Sequence, residues 1–189
     1  LPYLEEKGIE CSLIKPDENG TIQPESVEKE IRENTRLISI MHVNNELGTI
    51  NPISEVASIS HEKGILFHSD AVQALGKIPI DTHDIPADFI SMSAHKLYGP
   101  KGVGALFIRK GTTLKPLIYG GGQEHSLRAS TENIAGIAGF GMAVELAAMS
   151  LEENSQHIAL LEIHLVSQLE ERKIDYKING TERVPGVLN

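Results

Sequence analysis

A chain of 189 residues with 17 Lys plus Arg against 26 Asp plus Glu carries a formal net charge of −9 with His neutral. That acid surplus excludes a nucleic-acid binder, which needs clustered cations for the phosphate backbone, and no apolar run reaches the roughly 18 residues of a membrane span. With 40% hydrophobic residues the chain can bury a core for one or two domains. Its single cysteine, Cys11, excludes an internal disulfide framework and multi-cysteine metal sites. It points, with no basic and apolar leader pattern, to a soluble cytoplasmic protein.

In chain order, residues 1–8 read as the tail of a helix closing on Gly8. Residues 9–14 form an apolar run suited to a strand, which would bury Cys11 as a structural thiol. A turn over 17–20 leads to a helix over 24–34, with Pro24 in its first turn. The continuous apolar run 36–43 (RLISIMHV) predicts a strand buried on both faces. A helix over 52–63 closes on Gly64, and strands follow over 65–69, 88–93 and 104–109. Strand, helix, strand in repeated units predicts an α/β fold with a mostly parallel sheet and right-handed crossovers.

From Asn133 to about Arg172 the pattern turns helical, with a break near Ser150 and with Ile158, Leu161, Leu165 and Leu169 on one stripe. Residues 176–178 read as the first strand of a new unit. The expected organisation is a large domain over 1–150, a connector helix over 151–173 and the start of a small domain over 174–189. A first residue of Leu and an end at Asn189 without a tail make the chain read as part of something longer.

In open α/β sheets ligands bind beyond the carboxyl ends of the strands, and three polar clusters fall there: Asn44-Asn45-Glu46, Asp70 to Gln73, and Ser93-Ala94-His95-Lys96. A lysine at such an end can be desolvated enough to form a Schiff base with a carbonyl. Asp70, a carboxylate straight after a buried strand, is costly unless a cation or several donors meet it. A pyridinium nitrogen is one such cation. Ser93 and His95 flank the lysine closely enough to hold a phosphate dianion, and Gly120-Gly121-Gly122 permits close approach of backbone to a ligand. Read singly, each has a plainer use: Lys96 a surface lysine, Asp70 a helix N-cap, His95 a satisfied core histidine, the glycines a flexible loop. The run G-P-K-G-V-G (99–104) fits neither a nucleotide phosphate loop nor the dinucleotide fingerprint, and His61-Glu62 lacks the second histidine of a zinc-protease helix. The two Asn-Gly-Thr triplets read as turns.

Together, M-H-V-N-N-E-L-G (41–48), F-H-S-D-A-V-Q (67–73), S-A-H-K-L-Y-G-P-K-G-V-G (93–104) and G-G-G-Q-E-H-S-L-R-A-S-T (120–131) resemble the cysteine desulfurases of the NifS/IscS group, in order and spacing along essentially the whole chain. The resemblance implies the three-layer α/β/α large domain of fold type I pyridoxal-phosphate enzymes. It implies that Lys96 holds pyridoxal phosphate covalently and moves protons on the substrate, that Asp70 pairs with the pyridine nitrogen, and that Gln73 meets the phenolic oxygen. Asn45 would lie near that oxygen and the substrate carboxylate. Ser93 and His95 would contact the phosphate, and Thr131 would be lent by the second subunit of a homodimer. The implied reaction takes sulfur from L-cysteine onto an enzyme cysteine, releases L-alanine, and passes the sulfur to an iron–sulfur scaffold or a tRNA-thiolation partner.

The sulfur-accepting cysteine of that group lies C-terminal to the lysine, whereas Cys11 precedes it. The arginine for the substrate carboxylate and the histidine that stacks on the cofactor also have no counterpart here. The chain alone is therefore expected to be inactive. Two alternatives stay open: another fold type I pyridoxal lyase such as a selenocysteine lyase, and a non-catalytic assembly module that keeps a cofactor site.

Overall fold

The computed structural model describes residues 2–189. Its centre is a four-stranded sheet in the order β1 (Leu37–Met41), β2 (Leu66–Asp70), β3 (Phe89–Ser93) and β4 (Gly104–Ile108). The first three strands run parallel and β4 runs antiparallel to β3, with Met41 opposite Asp70, Asp70 opposite Ser91, and Ser93 opposite Gly104.

Side chains alternate across a strand, so the register sorts the sheet into two faces. Ile38, Ile40, Phe67, Ile90 and Met92 point to one face and join the main core with Val27, Ile53, Val56 and Ala57. The helices α2 (Pro24–Glu30) and α3 (Ile53–Glu62), which follow the short α1 (Pro2–Glu6), cover this face. In α3 the buried residues Ile53, Val56, Ala57 and Ser60 fall at the spacing of one helical stripe. Burying a side chain such as Val56 is worth roughly 1.5–3 kcal/mol, and the buried Ser60 hydroxyl is satisfied by donating to the Val56 carbonyl at 2.7 Å. The helix closes as expected on Gly64: at φ +67° it donates to the His61 carbonyl, while Ile65 N–H reaches the Ser60 carbonyl, both bonds of a Schellman motif. The other face carries Ser39, Met41, His68, Asp70 and Ser91. No helix covers it among the described residues.

Beyond the sheet, Asn133 caps α4 (Ile134–Met149) by accepting from Gly136 N–H at 3.1 Å, and α4 bends by 70° into α5 (Leu151–Glu171). The break falls at Ser150, whose hydroxyl donates back to the Leu146 carbonyl at 2.8 Å. No single helix among the described residues is long and apolar enough to cross a membrane.

Five expectations are corrected. The run 36–43 is a strand only over Leu37–Met41 and is not buried on both faces, because helices cover one side of the sheet and leave Leu37 52% exposed on the other. Residues 9–14 form no strand, because nothing among the described residues pairs with them: Ile14 reaches the core only as a side chain, and Leu13 is 78% exposed. Cys11 is in consequence partly exposed rather than buried. The covered stripe of α5 runs through Ile158, Glu162 and Val166, while Leu161 and Leu165 face outward. Arg183 and Gly186 N–H bind the Glu162 carboxylate at 2.8 and 3.2 Å and so choose that face. Finally, residues 176–178 make no strand. The following segment instead lays Val184, fully buried, against the turn after β1, with Val184 N–H donating to the Gly48 carbonyl and Ile50 N–H to the Glu182 carbonyl.

Candidate functional site

The three polar clusters stand at the carboxyl ends of β1, β2 and β3 and on the connections that leave them. Beyond β1, the Asn44 side chain accepts from the N–H groups of Glu46 and Leu47, both at 2.9 Å, and so builds the turn that holds Asn45 outward in solvent. Thr49, fully buried, anchors the base of that turn through its hydroxyl to the Gly20 carbonyl at 2.8 Å.

Asp70 is the last residue of β2. One carboxylate oxygen accepts from Val72 N–H at 2.9 Å, which is the capping use of an aspartate at a strand-to-turn junction. The other oxygen has no side-chain or backbone donor among the described residues. In the turn that follows, Gln73 is buried, only 9% exposed, and its amide oxygen lacks a hydrogen-bond partner. A buried amide without a partner costs about 1–3 kcal/mol and marks a group kept for something other than stability.

Past Ser93, a single 3-10 turn (Ala94–Leu97) buries Ala94 and Leu97 against Phe140 of α4 and leaves His95 and Lys96 exposed. Tyr98 ends the turn in the left-handed region at φ 61°, which aims the chain back toward β4. The Ser93 hydroxyl and His95 Nδ1 are hydrogen-bonded at 2.7 Å, so the two proposed anion contacts are held as one unit. Thr131 is exposed on the loop before α4 and makes no hydrogen bond to Ser93 or His95. The structure therefore sets Asp70, Gln73, Ser93, His95 and Lys96 at the ends of β2 and β3 or on the connections that leave them, Asn45 on the turn after β1, and Thr131 on the loop before α4.

One further group crosses the uncovered face. His68 accepts or donates at both ring nitrogens, to the Ser39 hydroxyl at 2.7 Å and the Ser91 hydroxyl at 3.2 Å, spanning β1, β2 and β3. Burial pushes its imidazole below the ordinary value, and the nearby Asp70 charge pulls partly back. A neutral ring that bonds both neighbours fixes β2 laterally just before Asp70. Only the tertiary pairing brings these three residues together, and no local signal in the sequence marks them.

These features define an α/β protein with an amine, a carboxylate and a hydrogen-bonded Ser–His pair on the connections that leave β2 and β3. The chain belongs to the aminotransferase class-V family, which matches residues 3–189. It is 46% identical over 189 residues to a cysteine desulfurase IscS of Dictyoglomus turgidum, covering 99% of this chain and 48% of that protein. Among solved structures, a NifS-like protein superposes with a TM-score of 0.92 at 42% identity, covering 97% of this chain and 51% of that one. The structure titled SspA in complex with cysteine does so with a TM-score of 0.74 at 46% identity, covering 76% and 42%. The chain thus spans about half the length of the curated relatives it matches.

Proposed function

We propose that the protein carrying this chain is a pyridoxal-phosphate-dependent cysteine desulfurase, converting L-cysteine to L-alanine and passing the sulfur to an iron–sulfur scaffold or tRNA-thiolation acceptor. The observation that carries the reading is the placement of Asp70 at the end of β2 and of Lys96 on the turn that leaves neighbouring β3, with the buried amide of Gln73, lacking a partner, three residues after Asp70. The relatives named cysteine desulfurase support the substrate, as does the cysteine in the related SspA complex.

The residues present fit the cofactor. Asp70 has a free carboxylate oxygen for a pyridinium nitrogen, Gln73 an unused amide for a phenolic oxygen, and the bonded Ser93 and His95 pair donors for a phosphate. When bound, pyridoxal phosphate supplies an electron sink that makes bonds to the substrate α-carbon breakable. The chain's own part is to position and to move protons. Asp70 keeps a positive charge on the ring nitrogen. Lys96, on a short turn anchored by Leu97, carries a primary amine able to take a proton from one carbon and return it to another. Asn45, held outward by the Asn44 turn, offers an amide to a substrate carboxylate.

The same reading divides the parent into a large domain over 1–150, a connector over 151–173 and a small domain from 174, makes it a cytoplasmic homodimer, and gives Thr131 to the site of the opposite subunit. Its exposure on the loop before α4 suits that role. The test is the visible spectrum of the gene product that carries this chain. Added pyridoxal phosphate is expected to give absorbance at the violet edge that Lys96→Ala abolishes. L-alanine is expected from L-cysteine only with Lys96 intact. A spectrum unchanged by Lys96→Ala overturns the reading.

A further inference from the structure

Lys77 belongs to none of the motifs above, yet it stands beside the site. It follows the Gln73 turn, and its ammonium donates to the Gln73 carbonyl at 3.1 Å, closing the turn that aims the Gln73 amide inward. The residue before it, Gly76 at φ +76°, lies flat against Leu97: a Cβ there would meet the Leu97 Cβ at 3.3 Å. Lys77 and Lys96 therefore sit on adjoining stretches of backbone, each next to one side of that contact. Lys77 is partly buried, and among the described residues no carboxylate lies within ion-pair distance of it. Burial first, and then the Lys96 charge, hold its amine below the ordinary lysine range.

A partly buried ammonium without a counterion, on backbone that adjoins the Lys96 turn, defines a place where an anion is stabilised. Hydrogen bonds between an ammonium and an oxyanion are among the strong ones. We propose that Lys77 is a positioning residue of this site, clamping the Gln73 turn and supplying beside Lys96 a second positive charge that favours an oxyanion there. The inference rests on the reading of the site as a pyridoxal-phosphate site. Its oxyanion is then the cofactor phosphate or the substrate carboxylate.

The experiment uses the gene product that carries this chain, with Lys77→Met and Lys77→Arg. Three quantities are read: the Kd of pyridoxal phosphate by absorbance titration, the Kd of pyridoxal, and the KM for L-cysteine, each at low and high salt. Lys77→Met is expected to raise either the Kd of pyridoxal phosphate or the KM for cysteine about tenfold at low salt, as loss of one charge-assisted contact predicts. Lys77→Arg is expected to restore it, and pyridoxal binding to change least. A change confined to pyridoxal phosphate assigns the phosphate, and one confined to KM assigns the carboxylate. If neither moves while the Lys96-dependent absorbance is intact, the inference fails and the functional reading survives. If the unsubstituted protein gives no Lys96-dependent absorbance, both fail. Should Lys77→Met not fold by circular dichroism, Lys77→Gln replaces it, and equal losses in the Gln and Arg variants overturn the proposal.

Discussion

Asp88 and Arg109 join the end of the sheet opposite the site, the carboxylate fully buried and the guanidinium half exposed. Asp88 also accepts from Phe67 N–H at 2.8 Å, from the Thr112 hydroxyl at 3.2 Å and lies 3.3 Å from the His61 ring, so one side chain ties β2, β4 and the end of α3. Burial pushes its carboxyl up, but the Phe67, Arg109 and His61 bonds outweigh that and hold it below the ordinary value. Asp88→Ala leaves the buried Phe67 N–H without an acceptor and is expected to cost about 2–3 kcal/mol. Urea unfolding followed by far-UV circular dichroism checks this as a lower midpoint at unchanged slope.

Acid should weaken the fold in two stages. His42 and His68 are both held below the ordinary imidazole value of 6.5, in each case first by burial. As pH falls through 6.5 the unfolded chain takes up these protons before the folded one does, so stability declines from there and the loss is complete only below the folded-state values. Asp88 runs at lower pH. Its contribution is present above 3.8 and is lost as pH falls through its depressed folded value. Urea midpoints at about pH 7.5 and about pH 5.5 are expected to differ, and His68→Gln to flatten that difference. Equal slopes in the two proteins would refute the assignment.

Gly104 is required by space rather than by backbone angle. A Cβ there would lie 2.5 Å from the Met92 carbonyl oxygen, on the strand next to it. Gly104→Ala must push β4 away from β3 and is expected to destabilise by about 1–3 kcal/mol. The same variant should weaken cofactor absorbance in the parent, because the displaced strand carries the far end of the Lys96 loop. Thermal melts with and without pyridoxal phosphate check both parts.

Arg183 links α5 to the Asn45 turn. It bonds Glu162 and the Val187 carbonyl, and Arg183 itself bridges to Thr49 beneath that turn. Arg183→Met is expected to cost about 1–2 kcal/mol, since both charges are largely covered. Faster amide exchange over residues 44–50, with exchange over residues 66–70 unchanged, is the expected signature.

Cys11 sits among Glu5, Glu10, Ser12 and Arg32, on the stretch between α1 and α2. Cys11→Ser in the parent is expected to leave kcat/KM for L-cysteine unchanged. A loss of alanine formation would make Cys11 the sulfur acceptor after all.

Local signals reached far into this fold. The helix over 52–63, the Gly64 closure and the break at Ser150 are each set by a few neighbouring residues, and each falls where the pattern puts it. Residues 9–14 show the opposite case, because an apolar run specifies a strand only where a partner ladder exists. The antiparallel course of β4 had a readable cause: the connection from Ser93 to Gly104 is too short for the crossover that a parallel neighbour needs. The packing of Gly76 against Leu97 that sets Lys77 near the Lys96 turn, and the path from Ser39 through His68 to Ser91, depend on which segments lie side by side. No window of sequence carries that.

The pairing of β3 with β4 has a last consequence for Lys96. Ala94 N–H donates to the Val103 carbonyl at 3.1 Å directly above the Ser93 and Gly104 pair, so both stems of the intervening loop are tied to each other. A loop clamped at its base has already lost most of its closure entropy on folding. The lysine can then advance and withdraw its amine by turning its own side-chain torsions, while the backbone beneath it stays where the sheet holds it.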